Sequence, residues 1–326
     1  MLWGYKRMQQ EKKKRRIRQL FIQNNTYIIF IILFIVCCLL SENFLTVMNL
    51  RNIALQQAAP ICVAIGMLFV ILTGGIDLSV GSVMAFGAAL TAILIRDFSM
   101  NLFLAILISL AAGLLMGTFI GVLVAYTKMQ GFVASLAMMT IARGMAFVLT
   151  NGTPIKLEKG YLDLLVKKEL FYPIIIITVL IVVIFWFIQK YTAFGRIVIA
   201  VGSNETTVEL AGIRVKRYLI SVYAISGVLA ALAGIFVASR SSTGSASVGM
   251  GQELDAITAC VIGGASLAGG NGFVIKTVVG ALVLALIGNI MNLMAVPSYP
   301  QDIIKGFIII AAVLLQIVTE RSEKTV

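Results

Sequence analysis

The sequence predicts an all-α integral membrane protein, a polytopic helical bundle of about ten transmembrane helices with glycine-broken segments. Three observations carry this reading. The chain is 60% hydrophobic and 12% charged, with a mean hydropathy of +1.01 over 326 residues, against roughly 45–50% apolar in a soluble domain. Apolar runs of roughly 15 to 25 residues recur from Tyr27 to Val318, about the length that crosses a 30 Å hydrocarbon core as helix. They are continuously apolar instead of alternating, which excludes a β-barrel. The third observation is the run Ile71-Leu72-Thr73-Gly74-Gly75-Ile76-Asp77-Leu78-Ser79-Val80-Gly81, a glycine-broken apolar segment with a carboxylate inside it.

Taken in order, the chain opens with a basic tail over 1–25: eight of its 26 Lys and Arg residues crowd the first eighteen positions, with Lys12 to Arg16 unbroken. This accounts for much of the net charge of +12. It is a topology signal and a patch for anionic membrane lipid, not a nucleic-acid footprint. The membrane domain then covers 26–319. Windows bounded by charges, Gly/Pro or Asn clusters predict spans near 27–46, 57–73, 79–95, 101–127, 132–149, 173–188, 218–238, 254–268, 273–294 and 302–319. The first is read as uncleaved, because Ser41-Glu42-Asn43-Phe44 offers no small-x-small cleavage site. The segments ending at Thr73 and Ala268 are short for full crossings, and either fits a re-entrant or broken helix. A tail over 320–326 closes the chain. Cys37, Cys38, Cys62 and Cys260 all lie in apolar runs and imply no disulfide framework.

An even number of spans after a basic amino terminus puts both termini in the cytoplasm, together with the long loop Gln189–Arg217. Near-membrane Lys and Arg residues then number seventeen inside and eight outside, with Arg143 left within a span. The exterior loop Thr150–Tyr172 runs against the trend with four lysines, opposed by Glu158, Asp163 and Glu169.

A broken helix in lipid needs protein or a water-filled path to satisfy its backbone, and an ionisable residue at the break is a functional-site hypothesis. Gly74, Gly75, Asp77 and Ser79 are therefore translocation-path candidates; equally, the glycines end one helix, Asp77 sits in a polar turn at the membrane surface and Ser79 caps the next helix. Gly74-Gly75-x-x-Leu78-x-x-Gly81 echoes Gly263-Gly264-x-x-Leu267-x-x-Gly270, which adds Gly263, Gly264 and Asn271 as path candidates. Arg143, in the otherwise apolar stretch Ala137–Leu149, faces either a structural partner among the carboxylates or the path. Asn271, Asn289 and Asn292 are also suited to hydrogen bonds between helices. Gly113, Gly117 and Gly121 put small residues on one helix face, a packing seam within the chain or between two copies. The polar segment Arg240–Ser247, with Glu253 and Asp255 after it, reads as a solvated loop or as a contact for a delivery protein or outer gate.

In the long loop, Ser203 or Asn204 can cap a short helix whose positive first turn suits Glu205. Leu210, Ala211, Ile213 and Val215 give it an apolar face, which needs a partner protein or lipid headgroups to pack on. The chain has no histidine, no phosphate-binding loop and no nucleophile elbow. Energised transport therefore draws on an ion gradient or on another subunit.

Three stretches together carry a family resemblance: Gly74 to Gly81; Phe194-Gly195-Arg196 through Gly202-x-Asn204-Glu205 to Ala211-Gly212-Ile213; and Glu253-Leu254-Asp255-Ala256-Ile257 through Gly263-Gly264 to Gly270-x-Gly272. They resemble, in order from about Phe44 to Leu315, the permease subunits of bacterial ribose-type ABC importers. The resemblance implies a non-catalytic, multi-pass subunit of the bacterial inner membrane that pairs with a second permease, itself or a sister chain. It implies a periplasmic or lipid-anchored sugar-binding protein, and a cytoplasmic ABC ATPase that holds ATP and Mg; no cofactor is expected on this chain. It also makes Gly202, Asn204, Glu205, Gly212 and Ile213 candidates for coupling to that ATPase. Glu209 departs from the family, where arginine is frequent, and is a candidate for partner specificity. Relatives of this type handle several simple sugars and the furanose-like signal autoinducer-2, so the resemblance leaves the solute open. The alternative is an ion-gradient-driven transporter in which Asp77 or Glu253 binds a proton or sodium ion.

Overall fold

The computed structural model describes the backbone of residues 25–157, 165 and 172–324, with side chains up to 314. The basic tail, Glu158, Lys159, Asp163, Lys167, Lys168 and Glu169 lie outside the described residues. In order, the elements are α1 (Asn25–Leu40), α2 (Val47–Leu72), α3 (Val80–Arg96), α4 (Leu102–Thr127), α5 (Gly131–Thr150), β1 (Ile155–Lys156), α6 (Pro173–Tyr191), α7 (Ala193–Ser203), α8 (Glu205–Leu210), α9 (Val215–Ser241), β2 (Thr243–Gly244), α10 (Gln252–Ile262), α11 (Val274–Leu293) and α12 (Ser298–Lys324). The two strands pair antiparallel, Ile155 opposite Gly244 and Lys156 opposite Thr243.

Each predicted span falls on a helix, but among the described residues only six helices are long and apolar enough to cross a membrane: α2, α4, α5, α6, α9 and α11. Two boundaries differ for physical reasons. The helix ending near Thr73 is not short. It begins at Val47, because Thr46 Oγ1 accepts the Asn49 N–H (3.3 Å) and Arg51 donates to Tyr172 Oη (3.0 Å), so polar residues that interrupt the apolar window stay helical. The segment near 254–268 contains only α10, eleven residues, or about 16 Å of helix, half a crossing.

The core is built on α2 and α9, whose apolar windows are 78% and 67% buried, against 22% for α6 and 28% for α5. Gly113, Gly117 and Gly121 face α9 within the chain. A Cβ on any of them would strike α9 backbone, at Gly227, Tyr223 and Ile220 respectively. Glycine here lets two helix backbones touch, which supplies dispersion contact where lipid removes the hydrophobic drive. Thr91 Oγ1 donates to Ser109 Oγ (2.7 Å), tying α3 to α4.

Candidate functional site

The three sequence stretches that carry the resemblance meet at one place. After α2, Gly74 takes φ +79°, and its N–H and that of Gly75 close on the carbonyls of Ile71 (2.8 Å) and Val70 (3.2 Å). After α10, Gly264 takes φ +80° and closes in the same way, Gly264 to Val261 (2.8 Å) and Ala265 to Cys260 (2.9 Å). The two turns are thus equivalent, with Gly74 matching Gly264 and not Gly263; the sequence echo is out by one position. A positive φ demands glycine at the matched place, while the cap before it is Thr73 in one turn and Gly263 in the other. The turns then interlock. The Gly270 N–H donates to the Leu72 carbonyl (3.0 Å), satisfying an acceptor that the end of α2 leaves free. Gly202, in the last turn of α7, presses on this hydrogen bond: a Cβ there would fall on the Leu72 oxygen and 2.6 Å from the Gly270 nitrogen. A Cβ on Gly269 would lie 2.8 Å from the Gly74 nitrogen. Sites more than 60 residues apart thus share one glycine junction.

Asp77 lies inside the protein, with no exposed surface, and not in a turn at the membrane surface, because three buried donors surround its carboxylate. Its Oδ1 accepts from the Ser79 N–H (3.0 Å) and Ser79 Oγ (2.6 Å), and its Oδ2 accepts from Ser226 Oγ on α9 (2.7 Å). Ser79 therefore occupies the cap position of α3 but turns its hydroxyl back to Asp77 and caps nothing. Ser135 on α5 completes the knot, accepting the Leu78 N–H (3.0 Å) and donating to the Ile76 carbonyl (3.2 Å).

The loop expected to carry one short helix holds two, α7 and α8. Asn204 caps α8, its Oδ1 accepting the Thr207 N–H (2.9 Å), and Glu205 stands in the first turn. Lys128, in the α4–α5 turn, donates to Glu205 Oε1 (3.1 Å), and this carboxylate holds the lysine above its ordinary pKa. Val208 and Val215 pack inward, whereas Leu210 is 85% exposed beside exposed Glu209 and Gly212. The apolar face expected from Leu210 to Val215 is therefore split between the core and the surface.

Arg143 is half-buried and finds its partners in backbone, not in a carboxylate. One guanidinium nitrogen donates to the carbonyls of Ala246 (2.5 Å) and Val248 (2.7 Å). These belong to the non-helical segment between β2 and α10, where Ala246 is 3% exposed. The segment expected as a solvated loop is thus partly folded into the protein, with Gly249 and Gly251 at positive φ. Glycine at 81 makes room for it, since a Cβ there would meet the Gly249 carbonyl and the Glu253 carboxylate. We expect Arg143→Leu to strand both carbonyls and speed amide hydrogen exchange across 245–251 by at least about tenfold, a loss of about 1.5–3 kcal/mol for hydrogen bonds to a charged group. Unchanged exchange there would discount the clamp.

At the end of α2 away from the junction, a cavity of about 210 Å³ opens between α2, α10, α11 and α12. Its lining includes Gln57, Gln252, Asn289, Asn292 and Gln301. Asn289 and Asn49 exchange reciprocal amide hydrogen bonds (2.8 and 3.0 Å), and Gln301 donates to Asn292 (2.9 Å), so both asparagines do join helices. Asp255 and Lys305, also in the lining, stand 4.0 Å apart. Asn271, by contrast, is exposed on the α10–α11 loop, where its carbonyl accepts the Ser266 N–H (2.9 Å).

A family profile described as the permease component of branched-chain amino acid transport systems matches residues 49–313. The chain belongs to this permease family. The permease is 41% identical to the ribose import permease protein RbsC of Haemophilus influenzae over 288 residues, covering 85% of this chain and 87% of that one. It is 40% identical to the RbsC proteins of Escherichia coli K12 (85% and 88% covered) and Bacillus subtilis (85% and 87%), and 35% identical to the L-arabinose transport system permease protein AraH of E. coli K12 (87% of each). No solved structure matches the permease. These likenesses make it a multi-pass membrane subunit of the ribose-type ABC importer class, as the sequence motifs implied.

Within the permease, the structure brings Gly74, Gly202 and the Gly263–Gly270 turn together, and places Asp77 and Ser79 beside them in the interior. Arg143 stands apart, on the 246–248 segment. Sequence reading missed the carboxamide cavity and Gln189, whose buried amide donates to the Gly272 carbonyl (2.9 Å) and accepts the Val274 N–H (2.8 Å), pinning the start of α11. The available signal was a set of Asn and Gln residues inside apolar runs, which lipid does not tolerate without partners.

Proposed function

We propose that this permease forms the translocation path for a ribose-like monosaccharide in the bacterial inner membrane. An extracytoplasmic binding protein delivers the sugar, and a separate cytoplasmic ABC ATPase, which holds ATP and Mg, drives the cycle. The observation that carries the reading is the glycine junction: α7, which leads directly into α8, presses on the hydrogen bond that locks the end of α2 to the α10–α11 loop. A push on α8 is thereby delivered to both helix breaks at once, a two-state element of the kind nucleotide can bias. Ribose is taken from the relatives that carry it in their names.

The working topology has ten crossings with both termini cytoplasmic, α10 and the non-helical segment before it making one of them. Its support is that the α2–α3, α4–α5 and α10–α11 connections gather with α7 and α8 at one end, as the Lys128–Glu205 and Gly202–Gly270 contacts require. The ATPase docks on α8 through Glu205, Glu209, exposed Leu210, Gly212 and Ile213, with Gly202 and Asn204 setting the position of that helix. A second permease, a copy or a sister chain, completes the transporter, with lipid around it. Gly74, Gly75, Gly263, Gly264 and Asn271 act at the cytoplasmic end of the path, while Asp77, Ser79 and Arg143 hold its shape.

The test is to solubilise the tagged permease gently and identify what co-purifies. Wild type should bring down an ATPase with a phosphate-binding loop. Gly212→Asp, exposed, at φ +79° and with open space around it, should cut that recovery at least about tenfold, or ~1.4 kcal/mol, with unchanged membrane insertion. Equal recovery and equal uptake would move docking elsewhere. The comparisons give the gradient-driven alternative no support.

A further inference from the structure

The structure assigns a solute-contact site to the 210 Å³ cavity inside a single permease subunit, suited to one neutral, hydroxyl-rich molecule of monosaccharide size; this rests on the reading of the chain as a sugar permease. Four features carry the assignment. The first is chemical. Gln57, Gln252, Asn292 and Gln301 come from four separate helices and line one space. A carboxamide both donates and accepts, as each sugar hydroxyl does. Gln301 donates to Asn292 (2.9 Å) and Gln252 to Asp255 (3.3 Å), and the carbonyl oxygen of each amide keeps acceptor capacity for a solute hydroxyl. The second is electrostatic. Asp255 and Lys305, 4.0 Å apart, offset each other, so the lining holds one charge of each sign and favours neither anion nor cation.

The third is a backbone acceptor. Pro60, inside α2 and in the lining, has no N–H and leaves the carbonyl of Gln56, also in the lining, without its helical donor. The volume is below the roughly 300–1,000 Å³ of sites for drug-sized ligands and has room for about one sugar ring in a pocket that is partly open at the surface, where Gln56 and Asn292 are exposed. The fourth is position. α10 begins in the cavity, at Gln252 and Asp255, and ends at Gly263 in the turn that leads to the junction. A rigid half-helix thus has one end beside the solute and the other beside the element that α7 presses. Displacement of the junction reaches the solute site through α10, and also along α2, which runs from Leu72 at the junction to Gln57 in the lining.

The experiment uses the complete importer, reconstituted in proteoliposomes with its own ATPase and binding protein. Gln57→Leu should lower labelled ribose uptake at least tenfold while binding-protein-stimulated ATP hydrolysis persists, and Gln57→Asn should recover part of the uptake. Uptake by Gln57→Leu equal to wild type overturns the site. A second measurement does not depend on which solute is carried. With the four native cysteines replaced, Gln57→Cys should react with a small neutral thiol reagent at least fivefold faster in one nucleotide state than in the other. Equal reactivity, or none, in both states overturns the site. If the wild-type importer carries no ribose, the solute named under the proposed function fails, and thiol reactivity still decides the cavity.

Discussion

Replacing Gly202 with alanine abolishes most transport, lowering uptake at least about tenfold while the protein still inserts in the membrane. The prediction is sharp because local and tertiary physics disagree in sign. Gly202 sits in the last turn of a helix, where alanine is favoured over glycine by about 1 kcal/mol; if nothing touched it, the change would stabilise. Its Cβ, however, would be driven into the Leu72 carbonyl and the Gly270 nitrogen, both main-chain atoms that cannot rotate away. Overpacking costs about 1–3 kcal/mol, and the Leu72–Gly270 hydrogen bond it separates contributes about 1 kcal/mol more. Gly144→Ala is the control, since a Cβ at Gly144 has nothing within 4 Å. Uptake by reconstituted importers, normalised to permease in the membrane, reads the result. Activity of Gly202→Ala equal to that of Gly144→Ala would remove the junction from the mechanism.

The second large effect is at Asp77. Asp77→Leu leaves the Ser79 N–H, Ser79 Oγ and Ser226 Oγ without their acceptor in a site with no exposure. A single orphaned buried donor costs about 1–3 kcal/mol, and here three donors lose their acceptor together. We expect poor folding yield and a melting temperature lowered by ten degrees or more, on the order of 2–4 °C per kcal/mol for a large domain. Asp77→Asn behaves differently. Its carbonyl oxygen serves Ser79, and its amide faces the Ser226 hydroxyl, which can accept as well as donate. That variant should fold and retain uptake, as a structural Asp77 requires and a proton- or sodium-carrying one forbids. Normal stability with abolished uptake in Asp77→Asn would restore the gradient-driven reading.

Much was legible because it depends on local covalent rules. Continuous apolar runs gave the helices, the paired glycines gave the break after α2, and Asn204 followed by Glu205 gave the cap of α8. The misreadings share a cause. The glycine echo was aligned one residue out because a cap and a positive-φ position can both be filled by glycine, so identity alone does not fix register. Polar Asn49 and Arg51 looked like the edge of a span, because their partners Asn289 and Tyr172 lie 240 and 121 residues away. Arg143 suggested a carboxylate partner, and backbone carbonyls took its place.

By itself, then, the sequence determined that this chain is a membrane-spanning helical permease, where its helices break and which loop carries a capped surface helix. Only the tertiary structure decided that the breaks interlock beneath that loop, that Asp77 faces inward, and that amides from four helices line one pocket. In water a buried helix face differs from an exposed one in polarity, so periodicity reveals packing. In lipid both faces are apolar, and helices choose partners by glycine contacts and scattered hydrogen bonds whose two halves lie far apart along the chain.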